Sequence, residues 1–248
     1  MLTLNKAMPG YEFPLNEKSR TYLRFDSLFG LLRSYASVAN AGEAIIFFKT
    51  LFDFLELAER CDIRTDLMKD LEKQRQKLAL LQQIPDVDTD KLSSVLQQAA
   101  ELVQALPRAP RAASCFKEDR FLGAIRQRFT IPGGLCPFDV PILHHWLALP
   151  IATRVAQVDT WLQELDILMR GTDLLLDLWR GQGHAQAVIA RSGFYQATAE
   201  NNDLVRVDVE VDTGHYPTLS GHKTRFAIRF LPLGELETGD IPFTLTCC

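Results

Sequence analysis

No apolar run of about 18 residues occurs in this 248-residue chain, so a membrane-spanning helix is not expected. The N-terminus carries no cationic segment followed by an apolar run, which argues against a secretory leader; a cytosolic protein is expected. Cysteine is scarce and odd in number: Cys61, Cys115, Cys136, Cys247 and Cys248 include no C-x-x-C pair, which suits free thiols better than a disulfide framework. The closing Cys247-Cys248 pair lacks a C-a-a-X box and ends an alternating run of Ile241, Phe243 and Leu245, so it reads as strand-end thiols rather than a lipid anchor. A large net charge is missing too. With 27 basic against 31 acidic residues the formal balance is -4, which argues against a general nucleic-acid coat and requires any cationic site to be local.

Catalytic and cofactor signatures are equally thin. Ser220-Gly221-His222-Lys223-Thr224 has the look of a phosphate-loop end, but His222 separates glycine from lysine and the upstream glycine is missing. His144 and His145 are adjacent, so they splay apart on a helix, and no H-E-x-x-H or cysteine/histidine group has zinc spacing. Ser220 and His222 share a side of an extended segment without the G-x-S-x-G elbow a nucleophile needs. Neither an enzyme, nor a cofactor, nor a metal site is expected.

What is present is a helical chain that turns to strands at its end. Tyr11, Phe13 and Leu15 alternate as a short edge strand, and Asn16 is placed to cap a helix from Glu17 to about Ala36. A second helix spans about Gly42 to Glu59 and is nearly all apolar. Two amphipathic helices follow, Ile63 to Ile84 and one carrying Leu92, Val95, Leu96, Ala99, Leu102 and Val103; they read as a helical hairpin, either a plain bundle element or a protruding arm. A further helix is expected from Cys115 to Phe129, a short one opened by Pro141 with Asp139 as its cap, and a long one from Ala152 to Arg180. Beyond Gly183, Val205, Val207, Val209 and Val211 alternate with charged residues. The expected class is α+β: a mainly helical bundle over 16–183, and an antiparallel β-domain of 190–248 joined by residues 1–15.

Two stretches hold cations without acids. From Asp212 to Glu235 there is no intervening acid; Phe226, Ile228 and Phe230 alternate inward while Lys223, Arg225 and Arg229 share the other side of one expected strand. From Arg120 to Phe138 there is again no acid, with Arg126 and Arg128 between. A lone arginine on a surface is ordinarily just solvated; two such patches favour a basic groove that holds an acidic, extended peptide through charge-assisted bonds. The competing class is single-stranded nucleic acid, which needs aromatic rings beside the arginines. His144 beside Trp146 either packs or lines a cleft.

At these residues the chain resembles the cell division protein family ZapD. The resemblance is carried by Pro14-Leu15-Asn16-Glu17-Lys18, Glu118-Asp119-Arg120, Arg126-Gln127-Arg128, Ile131-Pro132-Gly133-Gly134, Phe138-Asp139, His144 with Trp146-Leu147, Gly193-Phe194-Tyr195-Gln196, and Ser220 to Phe230, and it covers almost the whole chain. Departures are mild: Asp26 stands where glutamate is common and Val140 where leucine is usual. The resemblance implies a cytoplasmic homodimer at the mid-cell division ring, which binds the C-terminal tail of the tubulin-like protein FtsZ and bundles its protofilaments during septation. It places tail binding on Arg60, Arg120, His144, Arg225 and Arg229, with Lys223 nearby, and implies no membrane or nucleic-acid partner.

Overall fold

In the computed structural model, residues 10–83, 88–111, 114, 116–199, 202–222 and 224–248 are described. Among them seven α-helices precede most of the strands: α1 (Glu17–Ser34), α2 (Ala41–Glu59), α3 (Ile63–Leu80), α4 (Thr89–Ala105), α5 (Arg120–Phe129), α6 (Pro141–Leu147) and α7 (Ile151–Gln182). The chain divides into two units, Arg24–Leu175 and Met1–Leu23 with Leu176–Cys248, so the division falls within α1 and α7.

The first of these units is organised by α2. Asn40 caps it, its Oδ1 accepting from the Glu43 amide at 3.0 Å, while Glu43 Oε2 accepts from the Ala39 amide at 2.9 Å and from the Ser37 hydroxyl at 2.8 Å. This reciprocal box fixes where the helix starts. Its apolar run then has somewhere to go: Phe47, Phe48, Leu51 and Phe54 are fully buried. Phe48 stands at the hub of a ring cluster, with centroids 5.2 Å from Trp146, 5.7 Å from Phe121 and 5.8 Å from Trp161. These rings tie α2 to α5, α6 and α7. Helices α3 and α4 pack against each other in the expected hairpin, Leu67 and Leu71 of the first and Leu92, Ala99 and Leu102 of the second being buried.

Two expected helix starts differ from the structure. Helix α5 begins at Arg120, not Cys115, because Asp119 Oδ1 accepts from the Leu122 amide at 3.0 Å and so terminates the preceding turn; Cys115 itself lies outside the described residues. Asp139 does not cap α6: Val140 occupies that position without a side-chain bond, and Pro141 alone sets the first turn.

The second unit is two antiparallel sheets face to face. Strands β1 (Gly10–Pro14), β4 (Leu204–Asp208), β7 (Ile241–Cys247) and β2 (His184–Ala190) form one in the order β1-β4-β7-β2; β3 (Phe194–Thr198), β6 (Arg225–Pro232) and β5 (His215–His222) form the other in the order β3-β6-β5. The N-terminal strand therefore completes the first sheet, with Phe13 opposite Val205. Val205, Val207, Phe243 and Leu245 from one sheet and Phe226, Ile228 and Phe230 from the other make a common core, in which the Phe230 and Phe243 rings lie 5.0 Å apart. Arg180 anchors the helical end of this unit to β1 through two bonds to Glu12, at 2.8 and 2.7 Å.

The stretch expected as one strand from Ser220 to Phe230 is instead divided between two paired strands, and Lys223 lies outside the described residues. Strand β5 ends at His222 and β6 begins at Arg225, paired with Gly221 opposite Phe226; a Cβ on Gly221 would stand 2.6 Å from the Phe226 Cα, so only glycine allows the approach. Val211, expected on a strand, lies in a 3-10 turn after β4 has ended at Asp208, and is exposed. Cys247 belongs to β7, and the Cys248 amide bonds the Leu204 carbonyl at 2.9 Å, so the terminal pair closes the sheet. Burial pushes the Cys248 thiol up to about 11, which keeps it protonated and a poor nucleophile at neutral pH.

Replacing Phe48 with alanine is expected to destabilise the fold by about 3–5 kcal/mol, read as a lower denaturation midpoint. The Ala39 amide and the Ser37 hydroxyl hold the Glu43 carboxyl below its ordinary value. A depressed carboxyl contributes stability above its unfolded value and loses it as pH falls through the folded one. The stability advantage of the native chain over Glu43→Gln should accordingly be full at neutral pH and shrink in acid, which denaturation at about pH 7 and about pH 3 measures.

Candidate functional site

Strand β6 has two different sides. Inward it presents Phe226, Ile228 and Phe230, all buried; outward it presents Arg225, Ala227 and Arg229, the two arginines exposed. As the central strand of its sheet it has a neighbour on each side, and the registers assign what flanks each outward residue. Arg225 lies between Thr198 and His222, Ala227 between Gln196 and Ser220, and Arg229 between Phe194 and Thr218. The result is a three-by-three set of positions that includes three hydroxyls, one amide, the Phe194 ring and two guanidinium groups, with no acid among them. Neither arginine side chain has an ion-pair or hydrogen-bond partner among the described residues. At about 3.3 Å per residue the two arginine Cα atoms stand roughly 13 Å apart, with Ala227 leaving a shallow floor between them.

Sequence reasoning found the arginines but missed Phe194, Gln196, Thr198, Thr218 and Ser220, which reach this face only through pairing between distant segments. Phe194 is 44 % exposed beside Arg229. Lys223 lies outside the described residues.

The other named positions belong to the helical unit. Arg120 opens α5 and is exposed, and Arg128 is exposed eight residues on, about 12 Å along the same helix face, with the small Gly123 and Ala124 between. Asp119, adjacent to Arg120, is turned away: its second carboxylate oxygen accepts from the Trp161 indole at 3.1 Å. Arg120 has no partner among the described residues, whereas Arg126 pairs with Glu59 at 3.3 Å. Arg60 is already engaged, by Glu56 one turn earlier on α2, in a pair whose side chains are both largely exposed. It lines a polar cleft of about 430 Å³ together with Arg64, Arg111 and Lys117. His144 projects to solvent, because Leu143 and Trp146 on either side of it are the residues α6 buries; the Trp146 indole bonds Gln157 at 2.8 Å. No group of His, Cys, Asp and Glu among the described residues could hold a metal ion, and none of the described helices is long and apolar enough to cross a membrane.

The described residues define an α+β protein that displays exposed arginines on a solvent-facing sheet. Comparison with known proteins gives the class a family. The ZapD family, described as a cell division protein, matches residues 23–229. Proteins named Cell division protein ZapD are 43 % identical over 242 residues in Pectobacterium carotovorum (96 % of each chain) and 41 % identical over 240 residues in Vibrio atlanticus (96 % of this chain, 98 % of the relative). One from Klebsiella pneumoniae is 42 % identical over 242 residues. The chain belongs to the ZapD family of cell division proteins, and its role is in cell division.

If the outward arginines serve binding and not the fold, Arg225→Ala and Arg229→Ala should each change unfolding free energy by no more than about 0.5 kcal/mol. Arg180→Ala, which breaks the part-buried pair with Glu12, should cost about 2 kcal/mol in the same denaturation experiment.

Proposed function

We propose that this protein binds the acidic C-terminal tail of FtsZ through its cationic surfaces and, as a cytoplasmic homodimer at the division ring, crosslinks and bundles FtsZ protofilaments. The observation that carries the reading is the outward face of β6, where Arg225 and Arg229 stand exposed and, among the described residues, neither side chain has a carboxylate partner. An extended peptide advances about 13 Å in four residues, so acids at that spacing meet both guanidinium groups at once. Gln196, Ser220 and Thr218 supply neutral donors and acceptors for the main chain of such a peptide.

Arg120, His144 and Arg60 complete the proposed tail-binding set on the helical unit. Arg60 is not excluded by Glu56, since an exposed i,i+4 pair is worth only about 0.3–0.5 kcal/mol and yields to a competing carboxylate. Two equivalent sites on a dimer hold two tails. When these come from neighbouring filaments, effective concentration converts modest single-site affinity into crosslinking.

One observation favours a second reading. Phe194 beside Arg229 is the kind of stacking surface that single-stranded nucleic acids use. Phe194 and the exposed Tyr216, two residues before Thr218 on β5, give such a ligand two stacking positions at the Arg229 end, whereas the two arginines, without partners among the described residues, stand over polar neighbours that suit carboxylates better.

Exchanging both outward arginines, Arg225→Glu with Arg229→Glu, is expected to abolish co-sedimentation with FtsZ filaments while the circular dichroism spectrum stays unchanged; retained bundling would refute the site. In the native chain, affinity for a tail peptide should fall as salt rises, because exposed charges are screened over about 8 Å at physiological ionic strength. Titrating single-stranded DNA in the same buffer decides between the readings, and tighter DNA binding reverses them.

A further inference from the structure

Among the described residues no large apolar side chain is as exposed as Phe138, at 81 %. It stands at the tip of a turn closed by bonds from the Asp139 and Val140 amides to the Cys136 carbonyl, at 2.9 and 3.0 Å. The ring is therefore held out on a rigid support. Two residues earlier the same segment forms the wall of an apolar groove of about 660 Å³. Ile45, Ile46, Lys49 and Thr50 of α2 line it, with Phe129 and the turn from Ile131 to Cys136 opposite. Ile46 and Ile131 are 40 % and 44 % exposed there.

The groove is preformed. The turn is stitched by the Ile131 amide to the Arg128 carbonyl at 3.0 Å and the Gly134 amide to the Ile131 carbonyl at 2.9 Å. Gly133 has a φ of +70°, and a Cβ on Gly134 would lie 2.6 Å from the Arg128 carbonyl, so both glycines are required by the backbone.

We propose that this patch is where two copies of the chain pair, Phe138 of each seated in the groove of the other. A twofold interface has to be self-complementary, which requires projection and recess on one surface. Here they are two residues apart. The charges match in the same sense: Asp139, without a side-chain partner among the described residues, adjoins the projecting ring, and Lys49 lies on the groove's wall. Among the described residues Lys49 is otherwise held by Asp53 alone, one turn along α2, both side chains being exposed. Ile142, 44 % exposed and one turn beyond Phe138, adds apolar surface beside the ring. The inference rests on the dimeric state proposed above and gives that state its surface.

Sedimentation velocity of the full chain over a concentration series tests it, on the native protein, Phe138→Ala, Ile46→Arg and an equimolar mixture of the two variants. Native protein should dimerise, and each variant alone should weaken association at least tenfold with an unchanged circular dichroism spectrum. The mixture should recover part of the association, because a heterodimer of the two keeps one intact ring in one intact groove. A native chain that is monomeric, variants as dimeric as the native protein, or a mixture no better than its components would each overturn the proposal. Titration of the FtsZ tail peptide separates it from the tail-binding reading. A variant that no longer pairs should still bind peptide at single-site strength. If Ile46→Arg stays dimeric but loses the peptide, the groove is a peptide anchor and the pairing surface proposed here is wrong.

Discussion

The period of two along β6 is the constraint on which the cationic surface depends. Three aromatic and aliphatic side chains on one side of this strand fill the core between two sheets, and a slip of one residue would bury Arg225 and Arg229 in their place. Burying two unpaired guanidinium groups costs far more than the slip could return. The hydrophobic demand of the core thus holds the arginines outward, and pairing on both edges of β6 fixes the height at which each stands. The proposed binding geometry is a by-product of register, and the close pairing of Gly221 with Phe226 protects that register at one end.

How the chain distributes its ion pairs sharpens the point. Arg180 is clamped by Glu12, Arg33 by Asp173 at 2.6 Å, Arg191 by Asp240 and Arg126 by Glu59. Acids are available, the formal charge is negative, and most arginines near structural junctions have found one. Among the described residues Arg120, Arg225 and Arg229 have not. Asp119 shows how this arises on the helical unit, since its two oxygens are committed to the Leu122 amide and the Trp161 indole and, among the described residues, its neighbour Arg120 has no counter-ion. An arginine left unpaired in an acidic protein keeps its full attraction for an external carboxylate.

Much of this could be read in the residues themselves, and the parts that could not have a physical explanation. The alternation of Phe226, Ile228 and Phe230 announced a strand with a cationic outside, and the 3.6-residue spacing announced the long helices. The reversal between β5 and β6 was hidden because both arms of a hairpin share the same period, so alternation alone does not show where the chain turns. Strand β2 carried no signal: its small, mostly exposed side chains lack an alternating apolar face. Phe194 and Gln196 were invisible as part of the site because their position beside Arg229 and Ala227 is set by pairing across more than thirty residues. The start of α5 was legible in principle, since an aspartate ahead of an apolar-periodic run is a capping signal, but the run from Cys115 satisfies helical spacing equally well. His144 was undecidable from sequence, because only the burial of Leu143 and Trp146 fixes which side of α6 faces water.

The weakness of the individual contacts suits the proposed task. An exposed arginine–carboxylate pair is worth about 0.2–1 kcal/mol, so a tail held by a handful of them dissociates readily from a single site. Filaments that must be gathered and then released cannot be joined by tight, slow-dissociating locks. Strength has to come from number: each tail that lets go is still held near its site by its neighbours, and rebinding is governed by an effective concentration that can reach millimolar. This logic requires only that the sites be open, geometrically fixed and present at least twice per assembly. The rigid register of β6 provides the first two, and the third is a matter of how copies pair. A rigid aromatic projection beside a preformed groove is a low-entropy way to do that, because neither side has to be ordered when two chains meet.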